Sequence, residues 1–78
     1  MDYESLISFI VKSLVDNPEE VKIKVMESDN STFIELSVNK DDLGKVIGKK
    51  GRIARAIRTL LSASASKLGK RVVLEILD

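Results

Sequence analysis

Leu43-Gly44-Lys45-Val46-Ile47-Gly48-Lys49-Lys50-Gly51-Arg52-Ile53 decides the reading of this chain, because two glycines three apart enclose two lysines between two stretches of helical character. Without a Cβ, Gly48 and Gly51 can take the positive φ of a sharp helix-to-helix turn and let a phosphate approach the main chain closely. Backbone N–H groups at the start of the following helix, with its dipole, attract an anion, and Lys49 and Lys50 add mobile positive charge. Three of the four glycines fall between Gly44 and Gly51. This segment predicts a loop suited to a nucleic-acid backbone.

The flanking sequence alternates in period. Tyr3, Leu6, Ile7, Ile10, Val11 and Leu14 recur at helical spacing, and Asn17-Pro18 ends that helix because proline disfavours the helical conformation in the residue before it. Val21, Ile23 and Val25 then alternate with lysines, and Ile34, Leu36 and Val38 with Glu35 and Ser37. Ser28-Asp29-Asn30-Ser31 between them reads as the turn of a hairpin. Asn39, Asp41 or Asp42 can cap a short helix through Ile47. A longer helix from about Arg52 to Lys67 carries Ile53, Ile57, Leu60 and Ser64 on one face. Gly69 breaks it, and Val72, Leu74 and Ile76 form a last strand. The order α-β-β-α-α-β predicts an α+β two-layer domain over residues 1–78, a three-stranded sheet with its helices packed on one face.

Composition narrows the function. A 78-residue domain buries roughly 60% of its unfolded surface, enough for a thin core and too little for a deep catalytic cavity. The chain has no cysteine and no histidine, which removes thiol nucleophiles, imidazole bases and the usual zinc ligands. No cofactor is expected. The N-terminal residues lack the pattern of a secretory signal, and no apolar run approaches the ~20 residues that span a bilayer, so a cytoplasmic protein is expected. Asn30-Ser31-Thr32 matches a glycosylation sequon and reads more simply as a turn. The net charge of +1 hides an asymmetry: residues 40–71 hold ten basic side chains (Lys40, Lys45, Lys49, Lys50, Arg52, Arg55, Arg58, Lys67, Lys70, Arg71) against Asp41 and Asp42, and the remainder holds three basic and ten acidic. Clustering of the cations around the glycine loop points to a polyanion.

Val46-Ile47-Gly48-Lys49-Lys50-Gly51-Arg52-Ile53 resembles the signature of the KH domain, whose GXXG loop clamps the backbone of four nucleotides. The element order resembles the bacterial type II form, and essentially all 78 residues are similar to the KhpA-like (YlqC) family of stand-alone RNA-binding proteins. The resemblance implies single-stranded RNA as ligand, and a homodimer or a heterodimer with a larger KhpB-like (Jag-type) KH protein. It also implies RNA-chaperone or post-transcriptional activity linked to cell shape and cell-wall homeostasis. It carries over Gly48 and Gly51 as the glycines of close backbone approach, Lys49 and Lys50 as phosphate contacts, and Val46, Ile47 and Ile53 as groove or supporting core residues. Gly44, Lys45, Arg52 and Arg55 complete the candidate RNA-binding set, with Lys70 and Arg71 as a second basic loop bordering the groove.

Aromatic residues are confined to Tyr3, Phe9 and Phe33, none beside the loop, so one copy lacks the stacking platform that gives many single-strand binders their grip. Gly44-x-x-x-Gly48-Lys49-Lys50 is one residue short of a nucleotide-binding P-loop and has no Ser or Thr after the lysine. Asp41 and Asp42 sit where helix caps belong and lack a supporting acid, base or metal set, so no enzyme activity is expected. The competing reading is a protein-interaction module with weak affinity for nucleic acid. It draws on the small-residue run Ser62-Ala63-Ser64-Ala65-Ser66, which would let another helix approach closely. Leu60, Leu61, Val73 and Leu77 do not all fit one buried face of a thin domain, and this excess points to a dimer.

Overall fold

The computed structural model describes residues 3–77. Helix α1 spans Tyr3–Leu14, strands β1 and β2 span Lys22–Glu27 and Ser31–Ser37, helices α2 and α3 span Leu43–Ile47 and Arg52–Ser66, and strand β3 spans Arg71–Ile76. Short 3-10 turns occupy Pro18–Glu20, Lys40–Asp42 and Lys49–Gly51. The α+β order and the type II KH arrangement expected from the sequence are both present.

The sheet is mixed, in the order β1-β2-β3. β1 pairs antiparallel with β2 through the Ser28–Ser31 turn, closed by the Ser28 amide donating to the Ser31 carbonyl at 2.8 Å. β3 lies parallel to β2, a pairing that needs a crossover connection, here supplied by the segment that carries α2 and α3. Register sets what faces inward. Val25, Ile34 and Leu74 form one row across the sheet, and Ile23, Leu36 and Ile76 the next. Thr32, the last residue of the sequon, is buried within β2. On the opposite face the rows are Met26, Phe33 and Val73, then Lys24, Glu35 and Glu75.

All three helices cover the inward face. α1 contributes Ile7 and Val11, with Val15 just beyond it, α2 contributes Val46, and α3 contributes Ile57 and Leu61, all packed with Ile34, Leu36 and Leu74. Each such side chain stabilises the fold by about 1.5–3 kcal/mol through its burial. Two details differ from the sequence reading. Leu14 lies at the surface and Val15 takes the inward position. On α3 the buried stripe is Ala54, Ile57, Leu61 and Ala65 rather than Ile53, Ile57, Leu60 and Ser64. Ala54 and Ala65 carry no bulk beyond Cβ and let the helix lie close to the sheet, and that rotation turns Leu60 outward, 57% exposed.

α1 stops before Asn17-Pro18, as expected. Asn17, at φ −120° and ψ 67°, has left the helical region, and Pro18 opens the next turn. The Asn39 side chain caps the turn at Lys40–Asp42 by accepting from the Asp41 amide at 2.8 Å, and it donates to Glu20 Oε2 at 2.6 Å.

Candidate nucleic-acid interface

The connection from α2 to α3 is a run of unusual backbone. Gly48 has φ 77° and ψ 174°, Lys50 has φ 56° and ψ 26°, and Gly51 has φ 74° and ψ 18°. Three positive φ values among four residues turn the chain sharply out of α2 and into α3. Glycine accommodates two of them at little cost; Lys50 is the one non-glycine residue with positive φ among the described residues. The Gly48 amide donates to the Gly44 carbonyl at 2.9 Å and closes α2, and the Gly51 amide donates to the Gly48 carbonyl at 3.1 Å. Arg52 donates its amide to the Lys49 carbonyl. The Gly51 and Arg52 amides are therefore used in building the loop, a change from the sequence expectation that the amides at the start of α3 stand free for an anion. No side chain caps α3, since Gly51 occupies the cap position.

The structure gathers most of the sequence-derived set around this turn. Lys49, Lys50, Arg52 and Arg55 are exposed on the loop and the first turn of α3, and Gly44 and Ile47 are exposed on α2. Four cations within seven residues concentrate positive potential at the turn between α2 and α3. Val46 is fully buried, and Ile53 is half-buried with its side chain against Gly48, so both support the loop from beneath. Other basic residues lie elsewhere. Arg58 donates its Nε to the Leu74 carbonyl at 3.3 Å and ties α3 to β3. Lys70 and Arg71 follow the far end of α3, whose fifteen residues span about 22 Å, and the Arg71 amide donates to Asn30 in the hairpin turn. The length of α3 thus separates them from the glycine loop.

Lys45 is engaged differently. Its ammonium pairs with Asp16 and lies 3.6 Å from Asp42 Oδ1. Asp42 is buried, 1% exposed, and its carboxylate accepts from the Asp16 amide at 3.2 Å, the Asn17 amide at 3.0 Å and Asn17 Nδ2 at 3.1 Å. Burial alone would raise the Asp42 pKa; the Asn17 side chain, the two amides and the Lys45 charge outweigh it and hold the carboxyl below its ordinary value. The hydrogen bond to Asp16, against a desolvation cost, raises Lys45 above the usual lysine value. Asp42 thus makes no side-chain cap to α2, the role its position in the sequence offered. It accepts instead the amides released where Asn17-Pro18 breaks α1. The Asp42-x-x-Lys45 spacing is visible in the sequence, whereas the partners Asp16 and Asn17, more than twenty residues away, are brought in only by the fold.

Among the described residues no helix is long and apolar enough to cross a membrane, and no group of three or more acidic residues could hold a metal ion.

Comparison with known proteins agrees with this geometry. The family model described as "KhpA/KhpB, KH domain" matches residues 4–76. The chain is 63% identical over 73 residues to the RNA-binding protein KhpA of Borreliella burgdorferi, covering 94% of this chain and 89% of that protein. It is 56% identical over 75 residues to the RNA-binding protein KhpA of Listeria monocytogenes, covering 96% and 99% respectively. It is 51% identical over 75 residues to that of Aquifex aeolicus, covering 96% and 95%. No solved structure matches the chain. With the loop, the helix–loop–helix context and the mixed sheet all in place, the chain belongs to the KhpA/KhpB family of KH-domain proteins.

Proposed function

We propose that residues 1–78 act as one KH domain that binds single-stranded RNA without covalent chemistry, gripping the phosphate backbone at Gly48-Lys49-Lys50-Gly51. The observation that carries this reading is the pair of positive-φ glycines enclosing two exposed lysines, which puts two solvent-facing cations on a turn with no side-chain bulk at either end. Phosphates meet Lys49 and Lys50, Arg52 and Arg55 extend the contact along α3, and bases turn toward the groove flanked by Gly44, Ile47 and Ile53. The name RNA-binding protein carried by the relatives supports it.

If about three phosphates are neutralised, log affinity falls with log salt at a slope of roughly −2, using ~0.7 per phosphate for single strands. Titration of labelled oligouridine at a series of salt concentrations measures the slope. Lys49→Asp with Lys50→Asp should abolish binding in a protein whose circular dichroism is unchanged. A flat salt response, or full affinity in the double variant, sinks the reading.

A single site of this size is weak, and joining two on one RNA adds ~100-fold or more by raising effective concentration. The domain therefore works as a homodimer or with a KhpB-like partner, as a cytoplasmic RNA chaperone or post-transcriptional regulator linked to cell shape and cell-wall homeostasis. Leu60 at 57% and Phe9 at 73% exposure support an association surface. They also favour the second reading, a protein-interaction module with little RNA affinity. Sedimentation at micromolar concentration, alone and with the partner, tests association; a monomer in both cases counts against it.

A further inference from the structure

α2 is too short to hold its own direction. A helix of five residues closes scarcely more than one turn, below the length at which helical propagation repays nucleation. Its orientation is set from outside, and the glycine loop, which leaves directly from its C-terminal end, inherits that orientation. Val46 anchors it to the core. At its start, Asp42 is fixed by three donors from Asp16 and Asn17, at the point where α1 breaks. Lys45, one turn on and on the same face, bridges Asp42 and Asp16.

We infer that Lys45 is a positioning residue rather than a phosphate contact, and that the Asp42–Lys45–Asp16 cluster latches α2, and with it the RNA-binding loop, to the end of α1. Electrostatics supports the assignment, because one ammonium facing two carboxylates is a locally negative group and offers a phosphate no net attraction. Geometry supports it as well. To reach a phosphate Lys45 would have to give up Asp16, whereas Lys49 and Lys50 are exposed and make no ion pair among the described residues. The RNA consequence rests on the proposed function; the mechanical coupling does not.

The experiment separates the two. Lys45→Met and Asp16→Asn alter exposed side chains and leave the buried Asp42 in place, so both variants keep the fold. Amide hydrogen exchange is followed at Gly48 and Gly51, whose N–H groups close α2 and the loop, and at Ile34 and Leu36 in the sheet as the global control. Oligouridine affinity is measured against salt in parallel. In both variants exchange should accelerate at Gly48 and Gly51 and stay unchanged in the sheet, and Lys45→Arg should restore protection. Affinity should fall about twofold to fivefold, the effect of one partly exposed ion pair on the competent population. The salt slope should stay at its wild-type value. A slope flatter by about 0.7 in Lys45→Met, with Asp16→Asn silent, would make Lys45 a direct phosphate contact and overturn the assignment. Unchanged exchange at Gly48 and Gly51 overturns the latch. Absence of RNA binding by the wild type would refute the proposed function alone, with the exchange measurement still deciding the latch.

Discussion

A Cβ built on Gly48 would stand 2.7 Å from Ile53 Cγ1 and 3.0 Å from the Ile53 amide nitrogen. Ile53 could turn its side chain but cannot move its main chain, because that nitrogen belongs to the first turn of α3. Gly48 is thus required twice, for its φ of 77° and for the contact on which α3 rests against α2. Gly51 has a similar φ and no atom within 4 Å of a built Cβ. Gly48→Ala should therefore destabilise the domain by about 2–3 kcal/mol and Gly51→Ala by only about 1–2 kcal/mol, the cost of a left-handed residue with a Cβ. Urea midpoints with an unchanged m-value check the order. Equal losses at the two positions would show that the Ile53 contact has no weight.

Lys50 holds the left-handed conformation without being glycine, a local strain of the kind that persists where a functional loop is held by its surroundings. Lys50→Asn, which tolerates that conformation, should raise stability by about 0.5–1 kcal/mol and weaken RNA binding, flattening the salt slope by about 0.7. A gain in stability with no loss of affinity would mean the strain serves no binding role.

The elements were legible because each obeys a strong local rule: Val46 through Ile53 announced the turn between helices, and alternation at Ile34 and Leu36 announced a buried strand. Two kinds of feature were hidden. The rotation of α3 depends on Ala54 and Ala65, residues whose smallness matters only against a particular sheet surface, so a stripe drawn through larger residues chose Leu60 in place of Leu61. The role of Asp42 was hidden because a capping position and a long-range acceptor look alike until Asp16 and Asn17 are brought beside it. Charge counting likewise could not separate Lys49, free on the loop, from Lys45, held by two carboxylates, or from Lys70, at the far end of α3.

The cluster around Asp42 gives stability a pH dependence at both extremes. Asp42 titrates below its ordinary value of 3.8 in the folded protein, so its contribution is complete above that value and is lost as pH falls through the lower folded pKa. Lys45 titrates above 10.5 when folded; its contribution is complete below that value and is lost as pH rises through the higher folded pKa. Between these limits the cluster contributes a constant term. Asp42→Asn should lower stability throughout the neutral plateau and remove the part of the acid limb that Asp42 supplies, measured as urea midpoint against pH. An acid limb of unchanged steepness in Asp42→Asn would assign it to other carboxylates.

Gly44 presents the opposite case to Gly48. It lies in α2, exposed, with no atom within 4 Å of a built Cβ, so neither crowding nor turn geometry calls for glycine there. In a helix interior alanine is favoured over glycine by about 0.5–1 kcal/mol, and a five-residue helix should gain the whole of it. Gly44→Ala is therefore expected to stabilise the domain. Gly44 also sits one turn before Gly48, and in the binding mode proposed above it flanks the groove toward which the bases turn, where an added methyl group would narrow the approach. The same substitution should weaken oligouridine binding with no change in salt slope, because it removes no charge. A more stable protein that binds RNA less well would show that the glycine is kept for ligand approach at the expense of stability. A more stable protein with full affinity would remove Gly44 from the binding surface and confine the close approach to Gly48 and Gly51.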